Sequence, residues 1–295
     1  MGGLMSCFDD AVTVDSPENR QALLPAWEFL LAHAAVDAIE LRAVHEQANI
    51  ASLLDSVGGT PINADLAPFI NMQTYPNFDA YLASRSKKMR QNQRRSAKYL
   101  GKEGELLGYG DDQQMSAETA IDISLDFKSR WLEARGLSGK TMLTNEARTF
   151  LKQVCRHYTR PSANACLSIS SVYLDSKPVS VGIGFRHNGC HYEYLGSFDY
   201  RLEHFGPGRL RMEYGMRDCF KRGIATYSML TPDTAFKKVW TEDAAVIRHY
   251  IVARSARGKL YRDIYMRKLR PRLKKMYHSL PPSLRTRIRS GHLWG

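Results

Sequence analysis

Tyr192–Lys221 reads YEYLGSFDYRLEHFGPGRLRMEYGMRDCFK, and the other elements of the chain arrange around it. The pattern predicts the end of a strand, a loop, the turn Gly206-Pro207-Gly208 and then an amphipathic helix. In that helix Met212, Met216, Cys219 and Phe220 stand at i, i+4, i+7 and i+8, which is one apolar face. Gly223 follows the last basic turn, where a left-handed C′ residue belongs. Glycines ahead of a helix let backbone N–H groups approach a ligand with no side chain between. The helix start adds unpaired donors and the positive end of its dipole. Gly206 and Gly208, with Arg209 and Leu210 just after them, are thus a candidate anion cradle of the kind that takes a phosphate. The same residues fit an ordinary strand–loop–helix connection equally well.

Upstream, the period changes to two from Asn164. Ala165–Leu174, Val179–His187 and Cys190–Gly196 predict a three-stranded meander, with Asn188-Gly189 as its hairpin turn. In the middle strand Ser180, Gly182, Gly184 and Arg186 share a face. Its two glycines admit either a ligand or a tightly packed helix. Helices are expected over Pro17–His33, Glu46–Val57, Phe78–Ala83, Lys87–Lys102, Ala117–Ala134 and Glu146–His157, the last capped by Asn145. Strands are expected over Val36–Arg42, Leu66–Met72, Glu105–Gly108, Ala225–Leu230 and Val246–Ala253. The order is mixed α/β (α+β), without the regular alternation of a doubly wound fold. Lys87–Lys102 carries seven Lys/Arg but only Met89, Ala97 and Leu100 as apolar positions. It reads as a solvated basic helix, or as one whose Arg94 and Arg95 meet an anionic substrate. Leu137–Thr144, polar and glycine-containing, is expected to be a mobile loop near the substrate opening.

The composition, 43% hydrophobic and 24% charged over 295 residues, is that of a globular chain large enough for a real core. No apolar run reaches membrane-spanning length and the start does not resemble a signal peptide, so a cytoplasmic protein is expected. The five cysteines are scattered without metal-ligand spacing, so no metal site is expected, and Cys219 reads as core packing. Arg254–Gly295 holds 13 Lys/Arg and one acid, while the remainder balances at 29 of each sign. The charge therefore belongs to the tail, and nucleic acid is an improbable partner for the body. The tail itself suits either an anionic membrane surface or packing on the body, with packing favoured for Ala256–Leu269. There is no G-x-S-x-G elbow, H-E-x-x-H pair or P-loop, which leaves serine-hydrolase, zincin and NTPase chemistry without support.

Four blocks carry a resemblance: Phe78–Leu106, Phe127–Gly139, Phe198–Met216 (FDYRLEHFGPGRLRMEYGM) and Leu230–Tyr250 (LTPDTAFKKVWTEDAAVIRHY). In order and content they resemble the cellulose-biosynthesis-type acetyltransferases of the GNAT superfamily. The third is similar to that family's F-D…P-G-x-L block and the fourth to its L-x-P-x-D-x-Y-K-x-x-W signature. The resemblance implies a GNAT-like fold in tandem lobes. Residues 1–110 would be an incomplete first lobe, 111–255 the catalytic lobe and 256–295 a basic appendage. It implies an acyl-CoA donor, acetyl-CoA or longer, and a sugar, polysaccharide precursor or small amine as acceptor. By the same resemblance Gly206, Gly208, Arg209 and Leu210 hold the pyrophosphate, and Lys237 assists them. Leu195 or Gly196 offers an oxyanion N–H on a splayed strand. Arg94, Arg95 and Trp131 face the acceptor. Among the residues of this neighbourhood Glu193 is the preferred base, although it equally suits a surface strand position. Tyr194 is placed to reprotonate the thiolate, or is simply half-buried. Asp233, Lys237 and Trp240 match the late signature, which puts Asp233 with Glu193 and Tyr194 among the expected catalytic residues, but Phe236 stands where the family has tyrosine. A non-catalytic scaffold docked through the tail, and an aminoacyl-tRNA-dependent Fem-type transferase, are the alternatives.

Overall fold

The computed structural model describes residues 17–137, 143–158 and 166–280. The loop expected over Leu137–Thr144 and the end of the tail lie largely outside the described residues. In chain order the helices are α1 (Pro17–His33), α2 (Asn49–Ser56), α3 (Phe78–Ser84), α4 (Lys87–Glu103), α5 (Ala117–Ala134), α6 (Asn145–Tyr158), α7 (Pro207–Lys221), α8 (Ala235–Lys238), α9 (Ala256–Leu260) and α10 (Arg270–Ser279). The strands are β1 (Ala38–His45), β2 (Thr60–Asn71), β3 (Leu106–Tyr109), β4 (Leu167–Leu174), β5 (Lys177–His187), β6 (Cys190–Phe198), β7 (Thr226–Ser228) and β8 (Ala244–Ala253). Contacts divide the chain into two units, residues 1–65 with 245–295, and residues 66–244.

In the first unit β1 and β8 pair antiparallel from Ala38↔Ala253 to His45↔Ile247, with a register shift between Leu41 and Val44. Trp27 of α1 and Leu53 and Leu54 of α2 pack with Leu41, Val44, Tyr250 and Val252 of the strands.

The second unit holds β7-β6-β5-β4-β3 as neighbours, and Phe69–Asn71 of β2 pairs with β7. β6 and β7 run parallel; the other pairs are antiparallel. The meander closes as expected, with Asn188 and Gly189 both left-handed at φ 47° and 71°, the geometry of a two-residue primed turn. α5 lies against β5 and β6, and α7 against β3 to β6. Met212, Met216 and Cys219 of α7 are buried with Phe78, Tyr81, Met89, Tyr227 and Trp240, the apolar face anticipated for this helix. Gly223, at φ 67°, ends α7 in a Schellman motif: Ile224 N–H donates to the Cys219 carbonyl and Gly223 N–H to that of Phe220.

Two local expectations change. Thr144, not Asn145, caps α6, accepting from Ala147 N–H at 3.1 Å. α4 is not solvated all round: Met89, Gln93, Ser96 and Leu100 form a buried stripe, while Ala97 is exposed. Two of those four positions are polar, so counting apolar residues underestimated the buried face. Gln93 donates to Glu213, and Ser96 accepts from Arg209.

Candidate functional site

The start of α7 is built by Gly206, left-handed at φ 72°, ψ 46°, with Pro207 at the first helical position. Pro207 has no N–H to offer. Gly206 N–H donates to the Glu203 carbonyl, and both Arg209 and Leu210 N–H donate to the Gly206 carbonyl. Among the described residues only Gly208 N–H at this start lacks a partner, so the expected cradle of several free amides narrows to one. Leu210 offers an anion nothing: its side chain is 2% exposed and packs with Leu100, Val172 and Val179. Positive charge at this place comes instead from side chains. A cavity of about 500 Å³ is lined by Asn92, Arg95, Ser96 and Tyr99 of α4, His204 and Phe205 of the preceding 3₁₀ turn, and Arg209. Arg95 lies over the Tyr99 ring at 5.6 Å, and Arg209 donates to Ser96 Oγ at 3.1 Å.

The sheet itself opens along β6. β6 pairs with β7 only at Cys190↔Thr226, His191↔Tyr227 and Tyr192↔Ser228. From Glu193 onward β6 keeps β5 alone, so the alternate amides and carbonyls of its far half that turn away from β5 have no strand to meet. At the same point the β5–β6 register shifts: Ile183 opposes Leu195 and Gly184 opposes Glu193, leaving Tyr194 as the extra residue of a bulge. Tyr194 is half-buried, its ring edge-on to Phe185 at 5.8 Å. Leu195 is buried and Gly196 exposed.

Glu193 does not stand on the surface. Its carboxylate meets Arg211 Nη1 at 2.7 Å and His191 Nε2 at 3.5 Å, and accepts the Tyr227 hydroxyl at 2.6 Å. Arg211, 3% exposed, also donates to Ser170 Oγ at 2.8 Å. Burial pushes the Glu193 carboxyl up. The Arg211 charge, with the contacts from His191 and Tyr227, outweighs burial and brings it down to about 2. A carboxylate held this way is a poor proton acceptor near neutral pH, which removes the basis for reading Glu193 as the base. The glycine face of β5 is filled by the same group. A Cβ on Gly182 would lie 1.9 Å from Arg211 Nη1, and one on Gly184 would meet the His191 ring at 2.4 Å. Of the two readings of that face, the packed helix is the one realised.

The other expected site residues are engaged singly. Asp233 pairs with Lys238 at 3.0 Å. Lys237 donates to the Leu230 carbonyl at 2.8 Å, which commits its ammonium to the loop it stands on. Phe236 is exposed, its ring 6.3 Å from that of Trp240, which is wholly buried. Trp131 lies between two cations, Lys128 at 4.8 Å and Arg135 at 4.3 Å. Arg135 Nη2 donates to both carboxylate oxygens of Glu203, tying the end of α5 to the turn before α7. Arg94 is exposed on α4. Sequence reasoning missed Arg211, Tyr227 and His191. The signal lay in an arginine among the apolar positions of α7, facing a strand whose glycines leave room for it. Among the described residues no group of three or more His, Cys, Asp or Glu side chains is placed to hold a metal ion.

The family model described as acetyltransferase (GNAT) domain matches residues 87–238, more than half of the chain. No curated relative matches. Among solved structures the chain is similar to FemX, with TM-score 0.58 and 13% identity over 84% of this chain and 79% of that one. It is also similar to the C-terminal domain (DUF2156) of a putative lysylphosphatidylglycerol synthetase from Agrobacterium fabrum, with TM-score 0.54 and 11% identity over 89% and 83%. L-PGS from Bacillus licheniformis follows at TM-score 0.54 and 10% identity over 86% and 79%. At these identities the structures speak for the fold alone. The parted parallel strands, the bulge and the glycine-flanked helix start all lie within the matched segment, and the chain belongs to the GNAT acetyltransferase-domain family as a GNAT-type acyltransferase.

Proposed function

We propose that the protein transfers an acyl group from acyl-CoA to an amine or hydroxyl of a sugar, polysaccharide precursor or small amine. The observation that carries this is the parting of β6 from β7 after Tyr192, next to the start of α7. The donor's pyrophosphate is assigned to the Gly208 amide and the Arg209 guanidinium, with Arg95 and His204 across the cavity. Its thioester then lies along the unpaired half of β6. An N–H there, at Leu195 or Gly196, stabilises the oxyanion that forms when the acceptor attacks the carbonyl carbon. Collapse of that intermediate breaks the C–S bond, the leaving thiolate takes a proton from the Tyr194 hydroxyl, and the proton released by the acceptor nitrogen or oxygen passes through solvent water to restore that hydroxyl. Glu193 serves as the anchor of Arg211. Arg94 and Trp131 are assigned to the acceptor side, as is Asp233.

Isothermal titration of the full chain with acetyl-CoA and longer acyl-CoAs tests the donor. Binding is expected, and Gly208→Glu, which puts a carboxylate at the one open amide, abolishes it while circular dichroism stays unchanged. No binding by folded wild-type protein, or binding indifferent to Gly208→Glu, overturns the assignment. Salt-sensitive RNA binding in its place would point to an aminoacyl-tRNA donor.

A further inference from the structure

None of the residues assigned to acyl transfer lies on the helical tail. It runs from α9 through a π-helical stretch, Tyr261–Leu269, into α10. Gly258 and Met266 are its buried positions. Leu260, Ile264, Tyr265, Leu269, Leu273 and Met276 are 42–64% exposed, and no described residue covers them. Apart from the adjacent pair Ile264 and Tyr265 they recur at steps of three or four residues, which keeps them on neighbouring turns. In a regular α-helix successive four-residue steps walk around the axis. The i→i+5 bonding of the π-helical stretch widens the turn and takes up that walk, so Leu269 stays in line with Tyr261 and Tyr265, whose rings stack at 5.5 Å. The result is one apolar stripe, Leu260 to Met276, about 24 Å long.

Between residues 256 and 280 there are nine Lys/Arg and one acid, Asp263, which is itself paired with Arg262. All of these cations except Arg262 are exposed. An uncovered apolar stripe flanked by cations on a single helix suits a surface that is hydrocarbon beneath and anionic on top. A second copy would bring two such cationic helices together. A nucleic acid would use the cations and leave the Leu, Ile and Met side chains in water. No described helix is long and apolar enough to cross a bilayer.

We infer that residues 256–279 form an in-plane docking helix for an anionic lipid bilayer, with the Leu260–Met276 stripe sunk among the acyl chains and the Lys/Arg at the headgroups. This is independent of the acyl donor. Co-sedimentation of the full chain with vesicles of one-third phosphatidylglycerol in phosphatidylcholine is expected to show binding, at least about tenfold stronger than to phosphatidylcholine alone. Leu269→Glu/Leu273→Glu should weaken it at least about tenfold by placing charge in the stripe, and Lys274→Glu/Lys275→Glu should weaken it further at low salt than at high salt. Both positions are exposed, so circular dichroism of the variants should match the wild type. Absence of binding to anionic vesicles, or binding that ignores Leu269→Glu/Leu273→Glu, overturns the inference. A concentration-dependent dimer in sedimentation velocity that the same double variant abolishes would assign the stripe to a second copy and overturn it too.

Discussion

Replacing Arg211 with methionine removes the positive partner of a carboxylate whose other contacts among the described residues are the His191 ring at 3.5 Å and the Tyr227 hydroxyl at 2.6 Å. At 2.7 Å and an effective dielectric constant near 20, the gross attraction lost is about 6 kcal/mol. Part of it was already offset by desolvating both groups, so the expected net destabilisation is about 3–5 kcal/mol, the cost of leaving one buried charge unpaired. The sign of the pH dependence follows. In the wild type the Glu193 pKa is depressed, so its contribution is complete above the unfolded-state carboxylate range and is lost as pH falls toward about 2. In Arg211→Met burial, the largest effect on Glu193, is opposed only by the contacts from His191 and Tyr227, and the folded-state pKa is expected to lie above the unfolded-state range. That variant should therefore lose stability as pH rises through the unfolded-state range and recover in mild acid. Arg211→Met/Glu193→Gln leaves no charge behind and should regain most of the loss. Urea unfolding at pH 5 and pH 8, followed by tryptophan fluorescence, measures all three. An Arg211→Met cost under about 1 kcal/mol, with no pH dependence, would place the pair in the class of solvent-screened contacts and refute the argument.

Gly182→Ala sets a methyl group against the Arg211 Nη1 that Glu193 and Ser170 both hold, and should cost about 1–3 kcal/mol in the same unfolding assay. Cys155 and Cys219 have thiols pushed up by burial to about 11 and about 12; native protein at pH 8 should therefore resist alkylation at both while Cys166 reacts, read by mass spectrometry.

Elements with a strong period or a turn signal are legible in the amino-acid order itself. α5, the meander and α7 with its Gly223 stop fall within a few residues of where their patterns predict them, because each is set by local chemistry. What the pattern hides depends on contacts distant in sequence. Glu193 looks like a surface carboxylate because its neighbours alternate in polarity, and nothing local says that Arg211, Tyr227 and His191 converge on it. Gly182 and Gly184 correctly announce missing volume, but the occupant sits on another element. The free amides of α7 are overcounted, since the left-handed Gly206 turns its own carbonyl toward two of them. α4 looks too polar to be buried because Gln93 and Ser96 find partners only on α7.

Because the Arg211–Glu193 contact fastens the second turn of α7 to β6, that helix cannot slide along the sheet without stranding a charge. The seat at its N-terminal end is consequently a fixed landmark relative to the fork between β6 and β7. Adaptation to a new donor or acceptor would fall instead to the peripheral wall of the cleft, α4 and the 3₁₀ turn, whose side chains can be exchanged with the keystone left in place.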